Sequence, residues 1–377
     1  MNKIKYLAII FLFNLVWSQD YEKSKIKEIS IVSTSNVFSE FYDCGCPKAP
    51  LGGLARKKYF LDNLMPNRNI ILVDSGNMFF DSNSVNPDNL SLDNKKFKAR
   101  NLVKTLEVVE QEVVNIGSND FKAGLDFLKD ITKNSSVNFI SANLFDQRED
   151  KLIFPPFHIV ERAGLRIAFI GLSESADAKN VLNKNFKQIG NEYIKKLQNN
   201  VDMIALLINV RDNNTSLEDL HSSFKDADYI FLSGTTLRSE PRTKQFSKEG
   251  PLLYAGGIQG KHLSILDIRI DNENKVINDV SASFSRLQEI DYRLNRLKSK
   301  DPSVKIEDLY ANQPNVLSLI QKYQKEATEI GISLSGFKSR SIFFSVPLAP
   351  GIPDDKEVAT FIKNIEKKAN FPLSHKH

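Results

Sequence analysis

The sequence predicts an α/β fold with a helical C-terminal appendage, on three observations. Short apolar, β-branched runs alternate with helical segments from about residue 27 to about residue 270. Several of those runs end in polar residues, as parallel strands do when their carboxyl ends face a site. Beyond about Arg286 the texture becomes helical. The chain has 377 residues, of which 41% are hydrophobic and 26% charged. That composition is globular, and the length suits one large domain with an appendage, or two domains.

In order, Ile29-Ser-Ile-Val32 is a β-branched run that ends in the polar turn Ser33-Thr-Ser-Asn36. Gly52-Gly53 precedes Leu54, Ala55, Tyr59, Leu61 and Leu64, whose spacing predicts an amphipathic helix. Asn69-Ile-Ile-Leu-Val73 reads as a buried strand that ends at Asp74-Ser-Gly76. A helix over 97–108 leads to a strand over 112–116 closed by Gly117, then a helix over 121–131 and a strand over 137–140. Segments 157–160 and 166–170 flank Ala163-Gly164, which predicts a hairpin. A helix over 191–199 and strands over 201–208, 229–232, 252–255 and 262–270 complete the alternating part. Ile290, Leu294 and Leu297, and then Val316, Leu319, Ile320 and Tyr323, recur at helical spacing. A short strand over 342–346 and a last helix over 354–369, with Asp354 as its cap, close the chain.

The N-terminus has the pattern of a secretory signal over residues 1–19. Met1-Asn-Lys-Ile-Lys5 is basic, Tyr6 to Trp17 is almost wholly apolar and too short to span a bilayer with ease, and Asp20-Tyr-Glu-Lys follows. No later segment is apolar for long enough to span, so the mature chain is expected outside the cytoplasm with no transmembrane segment. The formal net charge is +5, and Lys3 and Lys5 supply two of those charges within the signal. So weak a bias does not argue for nucleic acid or an anionic membrane as partner. The two cysteines, Cys44 and Cys46, are separated by one glycine. They leave open a labile disulfide, two thiols or a soft-metal site.

Five segments carry chemistry in a recognisable order: Gly52-Gly-Leu-Ala-Arg56, Val73-Asp-Ser-Gly-Asn77, Gly117-Ser-Asn-Asp-Phe121, Ser141-Ala-Asn143 and Ser233-Gly-Thr-Thr-Leu237. Together with Gly164-Leu-Arg-Ile-Ala-Phe-Ile-Gly-Leu172, they make residues 27–285 resemble the 5′-nucleotidase and UDP-sugar hydrolase branch of the calcineurin-like metallophosphatases. The resemblance implies a four-layer sandwich of two mixed sheets flanked by helices, with 286–377 as an extension. It also implies two divalent metals, held by carboxylates, an Asn and several His, which activate a bridging water. Carried over position by position, the ligands are missing. The first Asp falls on Asn36 and its His on Phe38, the bridging Asp on Asn77, and the Asn-His pair on Ser118 and Asn119. A later His falls on Asn209, and the last two on Thr235 and Leu237.

Two divalent ions bring four positive charges that neutral carboxamides do not offset. The chain has only five histidines, His158, His221, His262, His375 and His377, none at a predicted strand end. No metal or other cofactor is therefore expected. Asn36, Asn77, Asn119 and Asn209 could hydrogen-bond a ligand, or bond one another and cap strand ends. Asp74 is retained but is not the bridging position, so it is expected to fix its loop; Asp120 suits a cation or a structural turn. Cys44-Gly-Cys46-Pro47, with Val346 to Asp355, resembles a sub-branch in which some members continue into multihaem cytochrome segments. No Cys-x-x-Cys-His is present, so no c-type haem is expected. The expectation is an exported, non-catalytic binding or scaffold component of an envelope or membrane complex. The alternatives are an enzyme with redox or soft-metal chemistry at Cys44 and Cys46, or a conventional metal-dependent phosphohydrolase.

Overall fold

The computed structural model describes residues 26–48, 50–81, 90–176, 178–241, 249–273 and 276–373. The predicted signal over 1–19, His375 and His377 lie outside them. The chain divides into two compact units. Among the described residues the larger holds 29–239, 249–265 and 345–373, and the smaller holds 26–28, 240–241 and 266–344.

β1 (Ile26–Thr34), which enters the larger unit at Ile29, pairs in parallel with β2 (Ile70–Asp74), β2 with β3 (Val113–Asn115) and β3 with β4 (Asn138–Ile140). The register aligns Thr34 with Asp74, Asp74 with Val114, and Asn115 with Ile140. Their carboxyl ends therefore share one edge. β5 (Leu144–Asp146) and β6 (Lys151–Leu152) are short and antiparallel. β7 (Phe157–Arg162) and β8 (Leu165–Ser173) form the predicted hairpin, and Ala163 and Gly164 both have positive φ, as its tight turn requires. β9 (Val181–Asn183) pairs with β5. β10 (Met203–Asn209), β11 (Tyr229–Ser233) and β12 (Leu252–Ala255) continue in parallel from β8, giving a second sheet in the order β12–β11–β10–β8–β7. β13 (His262–Asp271) adjoins β1 in the first sheet.

Helices flank both sheets. Leu54–Tyr59 runs on into a wider turn over Phe60–Leu64. Leu92–Val108 starts five residues earlier than its apolar spacing predicts, because the Ser91 side chain accepts the Asn94 N–H and caps it. Phe186–Leu197 likewise starts early, capped by Asn185. The helix predicted over 121–131 splits into a single turn, Ser118–Phe121, and Leu125–Thr132. Gly124, at φ 91°, separates them. Leu102, Leu106, Leu128 and Phe139 build one core on the first sheet, and Ile194, Leu206, Phe224 and Ile230 another on the second.

The smaller unit contains β14 (Asn278–Asp279), parallel to the first residues of β15 (Arg340–Pro347), with helices Ser281–Lys298, Ile306–Leu309 and Pro314–Ser335. Phe284, Leu334 and Ile342 form its core, and Arg286 grips Glu326 with two bonds of 2.6 and 2.8 Å. Residues 286–377 were expected to form one extension, whereas the compact units divide near 266 and 345. The last helix, Lys356–Glu366, buries Val358, Ile362 and Ile365 in the larger unit's first core, with Leu102 and Leu106. Its cap is Asp355 and not Asp354: the Asp355 carboxylate accepts the Val358 N–H at 2.9 Å.

Candidate functional site

The parallel strands deliver the polar residues singled out by the sequence to one sheet edge. β1 leads to Asn36, β2 through Asp74 to Asn77, β3 to Gly117 through Asp120, β10 to Asn209, and β11 through Ser233 to Thr235. β1 and β2 stay bonded beyond their ends, with Asn36 N donating to Gly76 O at 3.0 Å and Phe38 N to Asn77 O at 3.2 Å. Asn36 and Asn77 sit at φ 50° and 58°, a left-handed conformation that Asn tolerates better than most residues. Phe38 shares it at φ 57°, where its bulk makes it an outlier.

Asn36 is the hub. Its Nδ2 donates to Thr235 O at 2.9 Å and to Gly257 O at 2.8 Å. Its Oδ1 accepts from Asn77 Nδ2 at 3.1 Å and from Gly234 N at 2.9 Å. Asn77 Oδ1 accepts the Asn119 N–H at 3.0 Å. Asn209 Oδ1 accepts the Ser118 N–H, and its Nδ2 donates to Ser233 Oγ, which donates on to Ser75 O. The hydrogen bonds thus join the ends of β1, β2, β3, β10 and β11. Asn36, Asn77 and Asn209 are buried, and Ser118 and Asn119 are half-buried. Packing is as tight as the bonding. A Cβ on Gly117 would stand 2.4 Å from Asn77 N, and one on Gly234 only 1.8 Å from Val210 O.

Thr235 Oγ1 donates to Asn213 Oδ1 and accepts from Leu237 N, while the Leu237 side chain is 46% exposed. Sequence reading missed Asn115, which donates to Ser75 O and Leu172 O, both at 2.9 Å, and so ties β3 to β8. A carboxamide inside the apolar run Val113-Val-Asn-Ile116 is the signal that could have found it.

Asp74 and Asp120 are buried with their oxygens engaged. Asp74 accepts from Thr34 Oγ1 at 2.6 Å and from Gly76 N at 2.8 Å, and Asp120 accepts from Phe79 N and Gly117 N, both at 2.8 Å. Burial pushes Asp74 up to about 6 against the Thr34 and Gly76 bonds and the Lys57 charge. Burial pushes Asp120 up to about 7 against its two backbone donors. Lys57, buried and donating to Gln111 at 2.8 Å, is pushed by burial down to about 8. Each folded carboxyl keeps a proton that the unfolded chain releases near its ordinary value of 3.8. That stability is fully present below 3.8 and is lost as pH rises through 6 and 7. The two carboxyls therefore lower the denaturation midpoint between about pH 4 and about pH 7.5, against His262, which burial pushes down to about 4 and which acts in the opposite direction. Asp120→Asn is expected to make the midpoint fall less, or climb more, over that window, and an unchanged pH dependence contradicts the assignment.

The donor set does not fit two divalent metals. The carboxamides of Asn36, Asn77 and Asn209 are committed to backbone, to one another and to Ser233, and the two carboxylates are committed to N–H and O–H donors. Among the described residues no group of three or more His, Cys, Asp or Glu could hold a metal ion. His158 lies in β7, His262 opens β13, and His221 is buried in the helix Leu217–Ser223 with its Nδ1 3.0 Å from Pro251 O. Cys44 and Cys46 lie in the loop between β1 and the first helix. That loop reaches the hub through its close contact with the 259–260 turn: a Cβ on Gly52 would lie 3.3 Å from Gln259 O, and Gln259 N donates to Asn36 O at 2.7 Å.

No protein-family model matches the chain. It is similar to the protein UshA of Yersinia enterocolitica, 24% identical over 178 residues, covering 46% of this chain and 30% of that protein. It is also similar to a 5′-nucleotidase of Vibrio cholerae, 24% identical over 167 residues, covering 43% of this chain and 28% of that protein. The matches span less than a third of these relatives' length. Among solved structures, it resembles a 5′-nucleotidase precursor from Thermus thermophilus with TM-score 0.60, 14% identity and coverage of 90% and 59% of the two chains. The calcineurin-like phosphoesterase YfkN from Bacillus subtilis gives TM-score 0.59 and 15% identity, with coverage of 91% and 98%. The fold is that of these phosphoesterases.

Proposed function

We propose that this chain, which has the 5′-nucleotidase and calcineurin-like phosphoesterase fold, is an exported, non-catalytic binding or scaffold protein of an envelope complex. One observation carries the reading. At the strand ends where this fold is expected to hold its metals, Asn36 spends all four of its hydrogen bonds on the protein itself. A metal ligand must direct a lone pair, and preferably a charge, at the ion. Asn36 Oδ1 instead receives two N–H donors, and neighbouring Asn77 Oδ1 receives another. In this reading the amide network supplies the cohesion between strand ends that bound ions would otherwise provide.

The expected location is periplasmic or extracellular, on the strength of the basic and then apolar N-terminus. No described helix is long and apolar enough to cross a membrane. What the site still presents outward includes half-buried Ser118 and Asn119 and exposed Asn213 and Thr236, with exposed Arg211, Asp212 and Arg238 beside them in the chain. The test is turnover of nucleoside monophosphates and aryl phosphates by the purified chain with manganese, cobalt or zinc. No metal-dependent rate above the uncatalysed reaction is expected. A metal-dependent rate that Asn77→Ala removes would overturn the proposal.

A further inference from the structure

The loop between β1 and the first helix is more tightly built than a connector requires. The isolated bridge between Asp43 and Gly52 closes it, and Cys44 N donates to Leu51 O at 2.9 Å just inside. The buried part of Arg56 staples it. Its Nη2 lies 3.0 Å from Asp43 Oδ2, and its Nη1 donates to Pro50 O at 2.8 Å and Gly52 O at 3.2 Å. Asp43 Oδ1 accepts the Gly45 N–H at 3.0 Å, and Gly45 sits at φ 65°. A left-handed glycine between two cysteines turns the chain so that both side chains reach the same side. The two sulfur atoms lie 2.7 Å apart and are not covalently joined. Cys44 is buried, whereas Cys46 is partly exposed. Burial pushes the Cys44 thiol up, but the Cys46 thiol, the Cys46 and Leu51 N–H groups and the Lys261 charge outweigh it, so its net direction is down, while the hydrogen bond with Cys44 and burial push Cys46 up. Access to solvent, not thiolate character, singles out Cys46.

From this juxtaposition we propose that Cys44 and Cys46 are a redox-active dithiol that exchanges with the disulfides of other thiol compounds or proteins. The accessible Cys46 sulfur attacks an external disulfide, forms a mixed disulfide and expels one thiolate. The Cys44 sulfur then attacks Cys46 Sγ, the mixed bond breaks, and the second thiolate leaves. Two cysteine thiols are oxidised, one external disulfide is reduced to two thiols, and the two cysteine protons pass to the leaving thiolates. The geometry assigns Cys46 as the entry sulfur and Cys44 as the resolving one, because only Cys46 is reachable from solvent. The activity uses no group of the amide network and stands whatever that network binds.

The test is to reduce the full chain, remove the reductant and add a chromogenic aromatic disulfide. The wild type is expected to release two equivalents of aromatic thiol per chain and to end free of reagent, two hydrogens lighter. Cys44→Ser is expected to release one equivalent and keep the reagent on Cys46. Cys46→Ser is expected to react at least ~10-fold more slowly than Cys44→Ser. Reagent retained on both wild-type cysteines, or no reaction in the folded chain, would overturn the proposal. So would a Cys44–Cys46 bond that excess dithiothreitol leaves intact in the folded chain, since that would make the bridge static. The wild-type stoichiometry decides the matter even if a variant fails to fold.

Discussion

Asn36→Asp is expected to destabilise the larger unit by about 3–5 kcal/mol rather than rebuild a metal site. An aspartate there keeps acceptors for Asn77 Nδ2 and Gly234 N but loses both donors to Thr235 O and Gly257 O. In the ionised form, a carboxylate oxygen would face two buried carbonyl oxygens. In the protonated form, one donor returns and the other carbonyl stays unsatisfied. A denaturant titration should show a lower midpoint with an unchanged slope, and manganese or zinc should not restore it. Full rescue by either ion would mean that the surrounding groups still form a coordination shell and would count against the amide-network account.

Gly234→Ala is expected to cost a comparable ~3–5 kcal/mol, or to prevent folding, by a different route. Gly234 has φ 79°, and an added Cβ would fall 1.8 Å from Val210 O and 3.1 Å from Asn209 Nδ2. The clash is with backbone, so no rotamer change relieves it. Relief would have to pull the end of β11 away from β10, and Gly234 N would then leave Asn36 Oδ1. Expression and circular dichroism against Gly260→Ala make the control, because Gly260 also has positive φ but has nothing within 4 Å of its missing Cβ. Equal behaviour of the two variants would show that positive φ, and not the close approach at the strand end, sets the cost.

The main strands were legible because each is a short apolar run bounded by polar turns, and their order was legible from the motif order. β5, β6 and β9 were not read, because runs of two or three residues hold no periodicity to detect. The return of Val358, Ile362 and Ile365 to the first core was also hidden. Their spacing announces a helix with one apolar face but not which surface receives it. At the candidate site, sequence reading collected Asn36, Asn77, Ser118, Asn119 and Asn209, and the structure brings them to one edge. What it left open was whether those carboxamides bond one another or wait for a ligand. That depends on backbone groups such as Gly257 O and Gly234 N, which lie some two hundred residues from Asn36 in the chain. The helix starts were misread by several residues because capping by Ser91 and Asn185 outweighs apolar spacing.

An amide network whose lone pairs are already taken at the strand ends leaves no coordination shell for two ions. Calorimetric titration of manganese or zinc into the purified mature chain tests it most directly. No saturable heat and no retained metal after gel filtration are expected. Saturable binding of about two ions per chain, the two-metal expectation, abolished by Asn77→Ala, would contradict it.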